Sequence, residues 1–271
     1  MLQTSVSGII EKYVLKFRFD MKQKVLLTLA LVFTFLQMAG GNLVAPETLS
    51  YKVMYKWGLI HKQAGTATLS ISKTQKGYNT ILTAQSAPWA DKFFMVRDTL
   101  IGEMSTDPKH PFRYEKIAHE GVEHKHDVVD YVYTGNIVKA NCTRRVWKKG
   151  ELVTDEKRTL EAENEAIDML SSFYFMRSLP FDKMNPGEQR VITIFSGKQK
   201  ETLSIKYIGK EDVSIDKNSY PAYHITFIFT SKGGKKTSDD MDAWISTDAD
   251  RVPLKLEGKL PVGKVHCLLM K

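Results

Sequence analysis

Cysteine is scarce in this sequence: Cys142 and Cys267 are the only two among 271 residues. Neither lies near the N-terminus, which excludes the class of exported proteins anchored through a lipid on a cysteine at the first mature position. In an oxidising compartment the two thiols could form a disulfide. Two buried free thiols are the alternative, because the sequence does not give their separation in space.

Long apolar runs are missing beyond residue 36. A membrane-spanning helix needs about 20 apolar residues, so the mature chain is expected to be soluble, with no transmembrane segment. The one apolar run lies in residues 21–41, MKQKVLLTLALVFTFLQMAGG, where Lys22 and Lys24 precede it and small residues follow it. That order is typical of a secretory signal peptide. We therefore expect export, with cleavage after Ala39 or Gly41.

Residues 1–20, MLQTSVSGIIEKYVLKFRFD, do not fit ahead of a signal peptide. We interpret Met21 as the true start and residues 1–20 as a mis-assigned start; an uncleaved amphipathic extension is the alternative. No linker, repeat or low-complexity tract interrupts the remainder. Residues 42–271 are therefore expected to form a single β-rich domain, a length that all-β domains reach.

Concentrated positive charge is also missing, although the net charge is +8. The densest basic runs are KKGE from residue 148 and KGGKK from residue 232, and both stand in turn-like stretches. Nucleic-acid binding requires a basic stripe on one face of a recognisable module. The sequence shows neither, so no nucleic-acid partner is expected.

Alternation of apolar and polar residues dominates the chain. The run LSYKVMYKW, residues 49–57, places Tyr51, Val53, Tyr55 and Trp57 on one face of a strand. Similar runs follow at short spacing as far as residue 270. Glycines in TGN at 134–136 and KGE at 149–151 indicate hairpin turns between neighbouring strands.

One stretch, NEAIDMLSSFYFMRSLPF, has helical spacing instead, and it predicts a single helix near residues 165–178. Asn164 is the expected N-cap, and Pro180 follows the end. A helix apolar on much of its circumference should lie inside or across a curved sheet. The predicted fold class is mainly β, with antiparallel curved sheets forming a sandwich, a half-barrel or a clamshell around one central helix.

Several segments in order carry a family resemblance. They are LSYKVMYKWGLIHKQAGTATLSI, DMLSSFYFMRSLPF, GKEDVSI, YPAYHITF and AWISTDADRVPLKLEGKLPVGKVHCLL. Together they resemble the exported bacterial family of domain of unknown function 3108, over roughly residues 46–271. The resemblance implies a β-rich protein of the periplasm or cell envelope of Gram-negative bacteria, with no established activity. Its recurrent features resemble Asp168, Arg177, Trp244, Asp248 and Pro253, which look as much like fold determinants as site residues.

The segment HEGVEHKHD, residues 119–127, holds three of the seven histidines. His124 and His126 project to the same face of a strand, and with His119 they could bind a metal ion, Glu120 or Asp127 adding an oxygen. The alternative is a solvated hairpin with Gly121 at its tip. The zinc-protease pattern HExxH is absent, so this cluster supports only a secondary hypothesis, a metal-assisted hydrolase.

Other catalytic signatures are missing. No G-x-S-x-G nucleophile elbow occurs, and Asp168 and Ser171 are better explained as helix-capping groups. Arg177 suits the C-terminal end of the helix dipole. The acidic runs DDMD at 239–242 and DADR at 248–251 lack the EF-hand pattern, and the second is typical of a turn leading into a strand. No cofactor is predicted, and catalysis is the less favoured expectation.

The aromatic face offers the remaining candidate site. We hypothesise ligand binding by Tyr51, Tyr55, Trp57, Arg177 and Trp244, with simple core packing as the alternative. The leading functional hypothesis is a non-enzymatic binding or scaffolding module that holds a lipid, a glycan or an envelope component in the concavity of a curved sheet. A structural envelope protein that binds another protein is a further alternative. The sequence predicts no oligomeric state.

Overall fold

The computed structural model describes residues 38–39, 42–43, 46–260 and 262–270. The expected early start and nearly all of the expected signal peptide lie outside these residues. Within the described ranges, no helix combines the length and the apolar character needed to cross a membrane.

Strands make up most of the described chain. A small ladder pairs β1 with β2, and every other strand joins one 15-stranded sheet. In chain order the strands are β1 (Met38–Ala39), β2 (Asn42–Leu43), β3 (Glu47–Trp57), β4 (Ile60–Lys73), β5 (Tyr78–Ser86), β6 (Val96–Met104), β7 (Pro111–Glu120), β8 (Glu123–Thr134), β9 (Ile137–Lys148), β10 (Glu151–Glu163), β11 (Ala166–Ile167), β12 (Gln189–Phe195), β13 (Lys200–Ile215), β14 (Asn218–Ser231), β15 (Met241–Ser246), β16 (Pro253–Lys259) and β17 (Lys264–Leu269). The helices are α1 (Pro88–Asp91) and α2 (Met169–Arg177), with short 3-10 turns at Phe181–Lys183 and Lys232–Gly234.

The large sheet coils into a nearly closed barrel. Its order is β10-β9-β8-β7-β6-β5-β4-β3-β17-β16-β15-β14-β13-β12-β11, and neighbours pair antiparallel except for β11 with β12. The two edges approach each other, since Lys200 of β13 donates a 3.1 Å hydrogen bond to the carbonyl of Glu161 on β10. The predicted class of curved antiparallel sheets around one helix is confirmed, and the particular form is barrel-like.

The helix α2 occupies the interior. All nine of its residues are buried, and its six apolar residues join inward side chains from both halves of the sheet in one core cluster. Gly102 of β6 makes the close approach possible: a Cβ there would lie 3.1 Å from Leu170 Cδ2 and 2.7 Å from Thr80 Oγ1. The concavity expected to hold a ligand is therefore filled by the protein's own helix.

The helix begins later than expected. Asp168 is its N-cap, accepting the backbone N–H of Ser171 at 2.8 Å, whereas Asn164 has a left-handed φ of 65° and does not cap it. The reason is that Ala166 and Ile167 pair with β12 as a short parallel strand. The prediction that residues 165–168 are helical, with Asn164 as cap, was wrong.

The predicted hairpins at 134–136 and 149–151 are confirmed by the pairing of Thr134 with Ile137 and of Lys148 with Glu151. The two cysteines are free and buried, in β9 and β17. The structure therefore shows two free thiols and no disulfide between Cys142 and Cys267.

Candidate functional site

The histidine segment forms the β7–β8 hairpin, with Gly121 at its tip in a left-handed conformation, φ 59°. His119 and His124 are direct cross-strand partners. Ala118 and Glu120 on either side of His119 are buried while His119 is exposed, so the imidazoles face outward from the barrel. The expected hairpin tip is confirmed, and the histidines lie on its outer face.

The two imidazoles form a hydrogen-bonded pair. Their Nδ1 atoms are 3.0 Å apart and their rings meet edge to face, with centroids 4.1 Å apart. The ring of Trp147 on β9 lies 4.9 Å from that of His124. Burial lowers the pKa of His124, and the neighbouring charges of His119 and His126 lower it further. At neutral pH His124 is therefore uncharged, and one ring of the pair donates while the other accepts.

His126 is held apart from this pair. Its Nε2 lies 2.6 Å from Oε1 of Glu115, a residue on β7. In the part of the chain that the structure describes, no three His, Cys, Asp or Glu side chains are grouped closely enough to hold a metal ion. The structure thus brings together two of the three histidines offered as metal ligands and gives the third a carboxylate partner.

Two depressions adjoin the histidine pair, of about 420 and 350 Å³, and His119 belongs to the walls of both. We call the two together the His119 groove. The larger lies among the turns at the end of the barrel and includes Trp147; the smaller runs across β4 to β7. Their remaining lining residues are Met95, Gly121, Val122, Glu123, His124 and Gly150 in the first, and Thr66, Ala67, Thr68, Thr83, Ala84, Gln85, Arg97, Asp98, Thr99 and Ile117 in the second.

Strand register explains the polar floor of this groove. Thr68, Thr83 and Thr99 are successive cross-strand partners, and Ile117 continues the row. A second row runs from Thr66 through Gln85, Arg97 and His119 to His124 and Trp147. Threonine suits an outward strand position because its branched side chain fits the pleat. The result is a groove lined by hydroxyl, amide and imidazole groups.

Arg97 is not a free cation in this groove. Its guanidinium contacts Asp91 of α1 at 2.7 Å and also donates to Ser86 Oγ at 3.0 Å. The Arg97 guanidinium and the Ser86 hydroxyl hold the pKa of Asp91 below its usual range. Arg97 therefore ties α1 to the sheet, and the groove presents polar groups without an unpaired guanidinium.

Charged groups are buried on the inner face beneath the histidines. Asp98 is 3% exposed, and burial raises its pKa to about 7 despite attraction from Lys116 and a backbone hydrogen bond from His119. Glu120 accepts from Lys125 at 2.9 Å, and Asp127 from Arg144 at 2.8 Å. The strands that carry the histidine pair are thus held from below by buried ionic contacts.

Replacing Asp98 by asparagine is expected to change how stability depends on pH. Because the pKa of Asp98 is raised on folding, the native state binds an extra proton between about pH 4 and pH 7, and stability falls as the pH rises through that window. Asp98→Asn removes this contribution. The free energy of unfolding of the variant, relative to wild type, should therefore be about 1–4 kcal/mol higher at pH 8 than at pH 4. Urea unfolding at both pH values measures the difference. Asp240→Asn, exposed on a loop, is the control, and an equal difference at both pH values would contradict the assignment.

Two of the five proposed ligand-binding residues lie in the core. Tyr51 is 2% exposed and donates to the carbonyl of Pro253 at 3.1 Å. Arg177 is 1% exposed and donates to the carbonyls of Asp250 at 2.7 Å and Arg251 at 2.9 Å. Both side chains donate hydrogen bonds that hold the β15–β16 segment against the interior. Neither is available for the ligand that the sequence analysis proposed for them.

The other three are scattered. Tyr55 donates to the carbonyl of Val262 at 2.9 Å, and Trp57 stands at the tip of the β3–β4 hairpin. Trp244 stacks on His224 in the other half of the sheet and lies under Lys255 Nζ, 4.1 Å from the ring centroid. The structure therefore does not assemble the five residues into one site.

Three of the five recurrent residues of the resemblance, Arg177, Asp248 and Pro253, meet at the β15–β16 turn. Asp248 Oδ1 accepts from Ser246 Oγ and from the backbone N–H groups of Asp250 and Arg251, as expected for an acidic turn entering a strand. Pro253 begins β16 just beyond, where its carbonyl meets Tyr51. These contacts, and the capping of α2 by Asp168, favour the interpretation of Asp168, Arg177, Asp248 and Pro253 as determinants of the fold.

The fold and the groove define a barrel-like β protein with a central helix and a polar outer face. Its sequence matches the model of the family described as Protein of unknown function (DUF3108) over residues 50–269. The chain belongs to that family, and the resemblance noted in the sequence is confirmed.

Two solved structures are similar to this chain. One is a beta-barrel-like protein of domain of unknown function DUF1849 from Brucella abortus, with a TM-score of 0.58, 12% identity, and coverage of 84% of this chain and 97% of that one. The other, a suspected exported protein with a YmcC-like fold from Bacteroides fragilis, has a TM-score of 0.31 and 6% identity, with coverage of 89% and 100%. No curated protein matches the chain. The first likeness supports the barrel-like fold alone.

Proposed function

We propose that this protein is an exported, non-catalytic binding module of the bacterial cell envelope that holds a glycan in the His119 groove. The observation that carries the proposal is the pair of adjoining depressions that share His119. Export rests on the order of basic, apolar and small residues in 21–41. Of the ligand classes considered from the sequence, namely a lipid, a glycan or another envelope component, the chemistry of the groove favours a glycan.

The groove chemistry favours a hydroxyl-rich ligand. Threonine hydroxyls, the Gln85 amide and the uncharged imidazole of His124 each donate and accept hydrogen bonds, as sugar hydroxyls do. Trp147 stands at one end of the row of groove residues and offers an aromatic face to the C–H face of a sugar ring. Ligand-binding sites commonly combine an aromatic surface with a few polar groups that orient the ligand.

An acyl chain inside the barrel receives less support. Phe173, Tyr174 and Met176 of α2 are each 0% exposed and belong to the core cluster that fills the interior. Admitting a lipid would require displacement of this helix and loss of its packing. A metal-assisted hydrolase receives little support from His126, whose partner is Glu115.

A charged side chain placed in the floor of the groove should block binding. Thr83 lies in the groove, and Ile81 lies two residues earlier on the same outward face of β5. Thr83→Lys is expected to weaken glycan binding about tenfold or more, a loss of about 1.4 kcal/mol, while Ile81→Lys leaves it unchanged. Calorimetric titration with soluble peptidoglycan fragments and with delipidated lipopolysaccharide measures both variants. Equal affinities, or no binding of either glycan by the unaltered protein, would refute the proposal.

A further inference from the structure

Exposed apolar side chains gather at the turns of one end of the barrel. They stand on the β3–β4, β5–β6, β7–β8 and β9–β10 connections, which the alternation of consecutive antiparallel strands places on the same side. Leu59 is 105% exposed and Phe93 is 75% exposed. We call the following set the apolar rim: Trp57, Leu59, Ile60, Phe93, Val122, Leu152 and Val153.

Hydrogen bonds join these turns into a continuous edge. Trp89 Nε1 of α1 donates to the carbonyl of Gln63 on β4 at 2.7 Å. The N–H of Gly121 donates to the carbonyl of Met95 at 3.1 Å. The N–H of Lys149 donates to the carbonyl of Val122 at 3.0 Å. Each turn is therefore fixed to the next, and the apolar side chains stand on one connected surface.

Lysines accompany the apolar residues at three of the four turns. Lys56 and Lys62 flank the β3–β4 tip, Lys92 precedes Phe93, and Lys148 and Lys149 precede Leu152. Lys62 lies over the Trp89 ring, 4.7 Å from its centroid. The rim thus combines apolar tips with positive charge.

The acids at this end are mostly neutralised by neighbours. Asp91 pairs with Arg97 at 2.7 Å, and Glu123 pairs with Lys125 at 3.0 Å and Lys148 at 3.1 Å. Among the described residues, Lys92 and Lys149 have no acidic partner. The turns at the opposite end mix acids with basic residues, for example Asp107 with Lys109, Asp216 with Lys217, and Asp250 with Arg251.

We infer that the apolar rim docks this protein on the surface of an anionic phospholipid bilayer. Exposed apolar patches mark interaction sites, and the adjacent lysines select a partner with dense negative charge. Each lysine near an anionic membrane surface contributes about a fivefold gain in binding, while the apolar tips enter the headgroup region. The inference goes beyond the proposed function and does not depend on glycan binding in the His119 groove.

Vesicle co-sedimentation of the full chain tests this inference. The probe is a vesicle of phosphatidylethanolamine with about 30% phosphatidylglycerol, compared with pure phosphatidylcholine. Leu59→Glu combined with Phe93→Glu is expected to weaken binding to the anionic vesicles about tenfold. Val191→Glu combined with Ile208→Glu makes the same chemical change at exposed positions of β12 and β13 and should leave binding unchanged. Residues 21–41 are identical in the unaltered chain, the rim variant and the control variant. A difference in binding between them therefore comes from the substituted positions.

Three results would overturn the inference. The first is a failure of the unaltered chain to sediment with anionic vesicles. The second is equal loss in the rim and control variants, which would indicate a general charge effect. The third is a rim variant that keeps vesicle binding but changes the oligomeric state in analytical ultracentrifugation, which would make the rim an interface between protein chains.

Discussion

Replacing Arg177 by methionine is expected to lower the free energy of unfolding by about 3–5 kcal/mol, the cost of removing one side of a buried ionic and hydrogen-bonded contact. Arg177 is 1% exposed at the C-terminal end of α2 and donates to the carbonyls of Asp250 and Arg251. Without it these two carbonyls lose buried donors. The single side chain thus connects the interior helix to the β15–β16 turn.

Glu47 adds to the expected loss. Burial raises the pKa of Glu47 to about 7, and Arg177 opposes that rise. In Arg177→Met the opposing charge is gone, so more of the Glu47 carboxyl should be protonated at neutral pH.

Urea unfolding at pH 7 measures the Arg177 effect, with Arg190→Met as control because Arg190 pairs with Glu188 at the surface. Arg177→Lys should fail to restore stability, since an ammonium lacks the planar fork that reaches both carbonyls. A loss below about 1 kcal/mol for Arg177→Met would contradict the role assigned to this residue.

The second large effect is expected at the other end of α2. Asp168 is 0% exposed; its Oδ1 accepts the Ser171 N–H at 2.8 Å and its Oδ2 accepts Ser171 Oγ at 2.7 Å. Asp168→Ala leaves both donors buried and unpaired, so we expect a loss of about 2–3 kcal/mol. Asp168→Asn keeps one acceptor oxygen and should lose less than about 1 kcal/mol.

The pH dependence of this pair of variants gives a separate readout. Burial raises the pKa of Asp168 to about 6, against hydrogen bonds from Ser171 that lower it. The wild-type carboxyl therefore becomes less favourable as the pH rises from about 4 to 6, and stability should fall across that window. Asp168→Asn removes this contribution, so its stability should fall less than that of wild type between pH 4.5 and pH 7 in chemical denaturation. Equal stability of the alanine and asparagine variants would contradict the capping role.

The local architecture could be predicted because its signals are local. Alternation placed the strands, and the glycines at 135 and 150 marked hairpin turns. The helix was predicted with too early a start because Ala166 and Ile167 take their strand conformation from β12, which follows α2 in the chain. Propensity and periodicity cannot include such a partner.

Only the histidines of the candidate site could be identified from the sequence. Alternation predicts that His124 and His126 share a face, but the contact of His126 with Glu115 depends on the register of β7 against β8. The row of threonines can be recognised only when the register of three strands is known. The sequence analysis therefore did not identify Thr83 or Thr99. Trp147 joins the groove by the same route.

The aromatic residues of β3 show a further limit. A face that carries Tyr51 and Val53 has the same pattern whether it surrounds a ligand or the protein's own helix. Here α2 occupies the interior, and the Tyr51 hydroxyl donates a hydrogen bond to the Pro253 carbonyl. Periodicity identifies a buried face, and the content of the interior depends on packing between distant segments.

Imidazole NMR during a glycan titration tests whether a glycan binds in the His119 groove. The seven histidines report from separate places: His119 and His124 line the groove, whereas His224 and His266 lie on β14 and β17. On addition of soluble peptidoglycan fragments or delipidated lipopolysaccharide, the account predicts saturable shifts of the His119 and His124 ring signals, with those of His224 and His266 unchanged. Shifts confined to His224 and His266, or no shift at any histidine with either glycan, would contradict it.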